Sequence, residues 1–228
     1  MMMAIRLTYD WFHPPCVLTI ERGQLDIWLL KLDDAPCQPD CLDTIETTRL
    51  KNFKFPLGRQ QYCSAHTALR IILGRYLNCA AKEVPIAIHS AGKPGIDHQP
   101  PSLYFNLSHA ENTALLAIRL EHEVGIDIEN IRDMPNLDRL AQRTMRAHEV
   151  AELEQSGWDK KLFFKLWTRM EARQKCLGRG VFGDAVGGDM VETKTMMLSA
   201  DQCAAIAWPV GAEPKIVNYY HDDNPPLC

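Results

Sequence analysis

Three acidic residues and one lysine have the types and spacing to carry out chemistry. Asp127 and Glu129 lie two residues apart in the run EVGIDIEN, where they alternate with Val and Ile as in a β-strand. Alternate residues of a strand face the same side, so the two carboxylates share a face with Gly125, whose missing side chain is expected to leave room for a ligand. Glu171 and Lys175 lie one turn apart in a predicted helix and therefore share a helix face.

Acidic side chains that converge without a cation repel one another, and some of them must then stay protonated. A divalent ion relieves the repulsion, and Mg²⁺ is commonly held by a few carboxylates, waters and substrate phosphates. The His and Cys residues do not fall at zinc-ligand spacing. The pattern therefore predicts an Mg²⁺ site that acts on a phosphate or diphosphate and is formed by Asp127, Glu129 and Glu171. A solvated strand face and a simple Glu171–Lys175 helix pair stay open as alternatives.

The elements that must position these residues follow from hydrophobic periodicity. Strands are predicted at residues 24–32, 84–89, 103–107, 114–120, 124–129, 204–208 and 215–219. Helices are predicted at residues 59–78, at 136–155 with a break near Ala147, and at 160–177. We expect the three strands between residues 103 and 129 to form one sheet. The Gly- and Pro-rich stretch 91–102 predicts a boundary between an N-terminal subdomain, 1–102, and a C-terminal subdomain, 103–228, in an α/β (α+β) protein.

Composition excludes several classes of protein. The chain has 228 residues, is 46% hydrophobic and 24% charged, and carries a net charge of −4, which does not fit disorder or a globally basic nucleic-acid binder. No apolar run is long enough for a membrane span and no secretory signal is visible, so a cytoplasmic location is expected. The eight cysteines include no CxxC pair and are expected to be reduced thiols, mostly buried.

Three motifs in fixed order resemble one family. YFNLSH at residues 104–109, VGIDIE at 124–129 and FFKLWTRMEA at 163–172, followed by Lys175 and Gly178, are similar to motifs of the Sfp-type 4′-phosphopantetheinyl transferases. The resemblance is clear over about residues 93–181. Each motif is weak by itself, whereas the three in this order and spacing are specific.

The resemblance implies a fold and a reaction. Members of the family are pseudo-dimers of two similar α/β subdomains, each a small sheet packed against a long helix, with the active site at their interface. They transfer the 4′-phosphopantetheine arm of coenzyme A to a serine of an apo acyl or peptidyl carrier protein and release adenosine 3′,5′-bisphosphate. By resemblance, Asp127, Glu129 and Glu171 hold Mg²⁺ with the coenzyme A diphosphate, and Lys175 stabilises or protonates the leaving phosphate. The base is Glu171 or a metal-bound water.

The resemblance also implies a binding site for coenzyme A, the co-substrate. Ser108 and His109 are expected to contact its phosphates, and Lys93, in the triplet GKP, to reach its 3′-phosphate region. His109 and Lys93 equally fit ordinary turn positions.

Met170 stands where many members carry a lysine that meets the diphosphate. Our hypothesis is that Met170 joins an apolar stripe with Phe163 and Trp167, and that coenzyme A is held instead by basic residues of the first half, such as Arg59 and Arg70.

Carrier proteins of this kind are typically acidic near their serine, so the basic run at residues 160–179, with seven basic residues and one acid, is predicted to steer one. Fatty-acid, polyketide and nonribosomal-peptide carriers all stay open. We expect a monomer with no membrane or nucleic-acid partner. The alternative readings are an Mg²⁺-dependent phosphohydrolase or nucleotidyl transferase, and a non-catalytic module that binds coenzyme A or a carrier protein.

Overall fold

The computed structural model describes residues 9–33, 35–88, 92–97, 102–178 and 190–221. Within these residues the chain alternates between strands and helices. The strands are β1 (Gln24–Lys31), β2 (Ile86–Ile88), β3 (Pro94–Ile96), β4 (Leu103–Ala110), β5 (Thr113–Leu120), β6 (Gly125–Asn130), β7 (Val191–Met197), β8 (Gln202–Pro209) and β9 (Lys215–Tyr220). The helices are α1 (Thr44–Lys51), α2 (Pro56–Leu77), α3 (Leu137–Thr144), α4 (Ala147–Gln155) and α5 (Lys160–Cys176).

The strands form a four-stranded sheet of order β4-β5-β1-β9, a three-stranded sheet of order β6-β8-β7, and the small hairpin β2-β3. One face of the four-stranded sheet packs against α2, where Trp28 and Leu30 meet Leu69 and Ile72. Its other face packs against the three-stranded sheet, where Ile27 meets residues of β6 and β8. The outer face of the three-stranded sheet carries α5. The protein therefore has four layers in the order helix, sheet, sheet, helix, which confirms the predicted mixed α/β class.

Alternation along β1 explains this layering. Leu25, Ile27 and Leu29 point to the second sheet, whereas Trp28 and Leu30 point to α2, so nearly every position of β1 is buried. A strand covered on both faces has a continuous apolar sequence, QLDIWLLK, rather than strict alternation with polar residues.

The predicted strands and helices are found, with the break before Ala147 between α3 and α4, but the grouping of the strands was partly wrong. β4 and β5 pair with each other, whereas β6 belongs to the three-stranded sheet. The connection at Glu121, which has a left-handed φ of 66°, leads the chain from one sheet to the other. Because the apolar face of β6 packs on the first sheet, β6 lies over β4 and β5 instead of beside them.

The four-stranded sheet takes strands from both sides of residue 102. β1 precedes that position, and β5, which follows it, pairs with β1 over the register Leu25↔Arg119 to Lys31↔Thr113. Hydrogen bonding therefore runs across the predicted boundary. Separate subdomains and an internal duplication stay predictions.

Met170 belongs to the buried face of α5, as our hypothesis stated. Its side chain is 4% exposed and Phe163 is fully buried, whereas Trp167 is half-buried. The helix begins at the N-cap Asp159, whose side chain accepts a hydrogen bond from the backbone N–H of Leu162 at 2.8 Å. Because Met170 is buried, its side chain is not available to contact a ligand at the surface of the helix.

The expectation of reduced cysteines was wrong at Cys16, Cys37 and Cys63, which are disulfide-bonded. Cys37 and Cys63 form a disulfide that ties the segment before α1 to α2, with their Cα atoms 5.1 Å apart. A separation of 26 residues carries no pairing signal, because only the fold brings the two positions together. Cys41, Cys79, Cys176 and Cys203 are free thiols. Among the described helices, none is both long and apolar enough to span a membrane.

Candidate active site

Strand β4 places two consecutive site residues on opposite faces of its sheet. Asn106 and Ser108 point to β6, and Asn106 Oδ1 accepts a hydrogen bond from the backbone N–H of Ile126 at 2.8 Å. His109 points the other way, towards α1 and α2, where it lines a cavity. One face of β4 therefore contacts β6, and the other face lines the cavity beside α2.

Asp127 is the centre of a buried polar network that joins β6 to β4 and α5. Its Oδ1 atom accepts hydrogen bonds from Ser108 Oγ at 3.0 Å and from Lys175 Nζ at 2.6 Å, and Lys175 also donates to Ser108 Oγ at 2.9 Å. The residue is 5% exposed, and burial raises the pKa of its carboxyl group, although Lys175 and Ser108 act in the opposite direction. The other oxygen, Oδ2, is buried without a hydrogen-bond partner among the described groups.

Glu171 lies in the same electrostatic environment as the two acids of β6. Burial, followed by the negative charge of Asp127, raises the pKa of Glu171 to about 7, Lys175 lowers it, and Glu129 adds a smaller upward effect. Glu129 lies towards the surface, where Arg132 forms an ion pair with it at 2.9 Å. Glu171 therefore lies within electrostatic range of both acids of β6, and their convergence on one metal ion stays a prediction.

Gly125 has a different role from the expected one. A Cβ atom at this position would lie 2.0 Å from the carbonyl oxygen of Ala172 and 2.5 Å from the amide nitrogen of Cys176. The glycine therefore makes room for the backbone of α5, not for a ligand. This close approach is what brings Glu171 and Lys175 down onto the acidic face of β6.

The donor set fits a hard divalent cation. Asp127 has an unpartnered carboxylate oxygen, and the pKa of Glu171 is raised by burial and then by the charge of Asp127; a bound cation would relieve both features. Within the described residues, however, no three His, Cys, Asp or Glu side chains are grouped closely enough to hold a metal ion. The described side chains alone therefore do not complete a coordination shell, and Mg²⁺ commonly takes further ligands from water and substrate phosphates.

His109 lies at the edge of a cavity of about 260 Å³ between β4, α1 and α2. Arg49, Tyr62 and His66 line the same cavity. The pKa of His109 is lowered, first by desolvation and then by the positive charges of His66, Lys175 and Arg49. The charge of Arg49 makes this cavity a suitable environment for a phosphorylated ligand.

Comparison with known proteins shows to which family the chain belongs. The family described as the 4′-phosphopantetheinyl transferase superfamily matches residues 123–202, which include β6 and α5. The 4′-phosphopantetheinyl transferase HetI of Nostoc sp. is 33% identical over 183 residues, which are 77% of each chain. The chain belongs to the 4′-phosphopantetheinyl transferase superfamily. The predicted family and the class of enzyme, a transferase, are therefore confirmed; transfer from coenzyme A to carrier proteins is the function of this family.

Two further relatives give the same result. The 4′-phosphopantetheinyl transferase AcpT of Salmonella typhi is 36% identical over 137 residues, 59% of this chain and 67% of its own. The 4′-phosphopantetheinyl transferase psf-1 of Bacillus pumilus is 27% identical over 176 residues, 76% of this chain and 71% of its own.

Lys93 of the transferase lies in a neighbouring cavity of about 370 Å³. Its ammonium group forms an ion pair with Glu123 and donates to the carbonyl oxygen of Val124 at 3.0 Å. Pro94 and Phe105 line both this cavity and the one beside His109. The two cavities therefore share a wall, although Lys93 is engaged with protein groups.

Arg70 does not present a free group to coenzyme A. Its side chain is 1% exposed, and its Nε and Nη2 atoms donate to Glu46 at 2.5 Å and to Asp43 at 2.6 Å. Its Nη1 atom donates to the carbonyl oxygens of Ala81 and Val84. The guanidinium group therefore anchors α1 to α2, and the contact of Arg70 with coenzyme A stays a prediction.

Arg59 is exposed on the first turn of α2 and lines a separate depression with Lys54 and Phe53. Nothing in its position tests the predicted contact with coenzyme A.

The basic run 160–179 of the transferase does not form a free cationic face. Lys160 pairs with Asp133, Arg169 donates to Thr193, and Lys175 points to Asp127. Arg173 is buried in an ion pair with Glu149 at 2.8 Å. Arg179 lies outside the described residues. Arg173 and Lys175 therefore serve internal contacts, whereas Lys160 and Lys161 stay exposed at the start of α5.

Sequence reasoning missed the residues of α1 and α2 that face His109. Arg49 lies over the ring of Tyr62 at 5.4 Å, and Tyr62 stacks on His66 with ring centroids 4.0 Å apart. His66 Nδ1 lies 2.8 Å from Glu46 Oε1. The spacing of Tyr62 and His66, four residues apart on one helix, was the available signal, but it also fits an ordinary buried face.

Proposed function

We propose that the protein transfers the 4′-phosphopantetheine arm of coenzyme A to a serine hydroxyl of an apo acyl or peptidyl carrier protein, in an Mg²⁺-dependent reaction. In this reaction the serine oxygen forms a bond to the β-phosphorus of coenzyme A, and the bond to the leaving adenosine 3′,5′-bisphosphate breaks. The supporting observation is the buried Asp127 carboxylate, with one oxygen held by Ser108 and Lys175 and the other without a partner.

Asp127, Glu129 and Glu171 are proposed to hold Mg²⁺ together with the diphosphate of coenzyme A. When bound, the ion would offset the negative charge that spreads over the phosphate oxygens during transfer. The acids themselves are positioned by the close approach of α5 to β6 at Gly125. A diphosphate that completes the coordination shell would explain why the protein contributes only part of it.

Glu171 is the proposed proton acceptor for the carrier serine. A general base works best when its pKa lies near the operating pH, and the pKa of Glu171 is raised to about 7 by burial and by Asp127. Its carboxylate can take the serine proton as the oxygen attacks. This pKa applies without a divalent ion, which would lower it when bound, so a metal-bound water is the alternative acceptor.

Lys175 is proposed to stabilise the leaving phosphate. Its ammonium group already lies in the carboxylate network, 2.6 Å from Asp127, so little reorganisation is needed to direct it at a developing negative charge. Ser108 keeps this group in place through the contact at 2.9 Å.

Coenzyme A is proposed to lie along the wall formed by Pro94 and Phe105, with its phosphates near His109 and its 3′-phosphate towards Lys93. Arg49 is a further cationic group for these phosphates. A monomeric enzyme in the cytoplasm is part of the same proposal.

The test is incubation of the protein with coenzyme A, Mg²⁺ and apo carrier proteins, followed by intact mass spectrometry of the carrier. A mass increase of one phosphopantetheine arm, lost when EDTA is added, supports the proposal. Release of inorganic phosphate without an adduct would indicate a phosphohydrolase, and binding without either product would indicate a non-catalytic module.

A further inference from the structure

The connection between α1 and α2 is the most cationic exposed part of the first half of the chain. Residues 47–61 contain four basic residues and no acid, although the whole chain has a net charge of −4. Five exposed basic and apolar residues of this segment, which we call the α1–α2 corner, are Lys51, Lys54, Phe55, Leu57 and Arg59.

The corner also exposes large apolar side chains. Phe55 is 76% exposed and Leu57 is 60% exposed, both next to basic residues. Phe53, by contrast, folds inwards and packs on Tyr62 with ring centroids 5.2 Å apart. Grouped apolar side chains on an otherwise polar surface commonly mark an interaction site.

The corner lies beside the proposed active site. At the end of the first turns of α2, Gln61 Nε2 donates to Asn112 Oδ1 at 2.9 Å, and Asn112 belongs to the turn that follows β4. His109 and Ser108 lie at that same end of β4. Arg49, at the end of α1, lines the cavity of His109. Lys54, five residues later in the chain, lines the adjoining surface depression.

We infer that the α1–α2 corner is the docking surface for the carrier protein. The inference rests on the proposed function, which requires a macromolecular serine to reach the groups around Asp127. Basic residues around an apolar centre fit a partner with an acidic rim and an apolar spot. The corner is favoured over the basic run 160–179 because it combines exposed lysines with exposed apolar side chains, whereas Arg173 and Lys175 of α5 are held in ion pairs with Glu149 and Asp127.

The test uses a Phe55→Ser, Leu57→Ser double variant and a Lys51→Glu, Lys54→Glu double variant. Steady-state transfer is measured with whichever apo carrier, acyl or peptidyl, the wild-type protein modifies. We expect KM for the carrier to rise about 10-fold or more in each, since removal of a central interface contact commonly costs more than 1 kcal/mol. KM for coenzyme A and kcat should change less than about 2-fold, which is the variation expected for substitutions that do not contact the site being measured. The charge variant should also lose much of the dependence of the rate on salt.

Matched controls lie elsewhere on the surface. Val210→Ser removes an apolar side chain that is 54% exposed, and Lys215→Glu reverses an exposed charge on β9, three strands away from β4. Both controls should leave KM for the carrier unchanged. Circular dichroism and thermal unfolding of all variants establish that they are folded.

Unchanged KM for the carrier in both folded double variants, with active wild-type protein, would overturn the docking surface and leave the proposed function intact. A rise in KM for coenzyme A alone would assign the corner to the co-substrate instead and would equally overturn it. Loss of binding to anionic vesicles or to nucleic acid without an effect on the carrier would assign the corner to those partners. Failure of the proposed function itself is distinct, because the wild-type protein would then form no adduct with any carrier.

Discussion

The ammonium group of Lys175 lies 2.6 Å from Oδ1 of Asp127 and thereby joins α5 to β6 across the centre of the proposed site. The same group donates to Ser108 on β4, so one side chain connects three elements from both sheets and the outer helix. This contact positions a positive charge where negative charge must be stabilised during phosphoryl-type transfer.

Replacement of this charge should strongly reduce transfer. Lys175→Met keeps the length of the side chain but removes the ammonium group, so the rate of adduct formation at saturating substrates should fall by about 100-fold or more. Lys161→Met, an exposed position on the same helix, is the control and should keep wild-type activity. A Lys175→Met enzyme with a rate close to wild type would show that Lys175 has no part in the reaction.

The raised pKa of Glu171 predicts a specific dependence of stability on pH. In the absence of divalent ions, the folded state holds a proton on Glu171 up to about pH 7, whereas the unfolded state releases it near the ordinary value of 4.5. The folded state therefore binds more protons between these values, and the free energy of unfolding falls as the pH rises through this window. Glu171→Gln should remove this contribution.

Denaturant unfolding of the wild type and of Glu171→Gln, measured in EDTA from pH 4 to 8, provides the comparison. The difference in the free energy of unfolding between the two should change steadily across the window and then level off. A constant difference over the whole range would contradict the raised pKa.

Two arginines near the first-half cavity should separate stability from binding. Arg70→Met leaves the buried Glu46 without its ion-pair partner and should lower the free energy of unfolding by about 3–5 kcal/mol. Arg49→Gln should leave stability almost unchanged but raise KM for coenzyme A. Chemical denaturation measures the stability of both variants, and steady-state kinetics measures their KM for coenzyme A. A stable Arg70→Met protein with a raised KM for coenzyme A would indicate that Arg70 binds the ligand.

Gly125 should tolerate no side chain. Gly125→Ala puts a methyl group 2.0 Å from a backbone carbonyl oxygen of α5, and backbone cannot move aside as a flexible side chain does. We expect a loss of stability of about 1–3 kcal/mol or more and a larger loss of activity, because α5 carries Glu171 and Lys175. Gly157→Ala is a comparison at a position with open space, where the only strain comes from a positive φ of 69°. Wild-type activity in Gly125→Ala would show that α5 need not approach β6 so closely.

The sequence was sufficient for much of the site. Alternation in VGIDIE correctly separated an apolar face, which packs between the sheets, from the face that carries Asp127 and Glu129. The helical spacing of Glu171 and Lys175 correctly predicted that both face the same way. These features depend on local periodicity, which a single sequence records directly.

The remaining features depend on contacts between distant parts of the chain. The role of Gly125 was misread because the space beside it is filled by α5, which begins more than thirty residues later. Arg70 was predicted to bind a ligand because a basic residue on a helix gives no sign that Asp43 and Glu46 will neutralise it. The prediction that β4, β5 and β6 form one sheet was wrong for the same reason. A short connection after β5 is compatible both with pairing in the same sheet and with a crossing to the other sheet.

The most direct test of the central claim is single-turnover formation of the carrier adduct by the wild type and by Asp127→Asn, each titrated with Mg²⁺ at saturating coenzyme A. The substitution preserves the shape and most hydrogen bonds but removes the negative charge. The wild type should form the adduct with a saturable dependence on Mg²⁺, and the variant should be slower by about 100-fold or more at every concentration. A folded Asp127→Asn protein with the rate and Mg²⁺ dependence of the wild type would contradict the claim that Asp127 holds the metal in the transfer reaction.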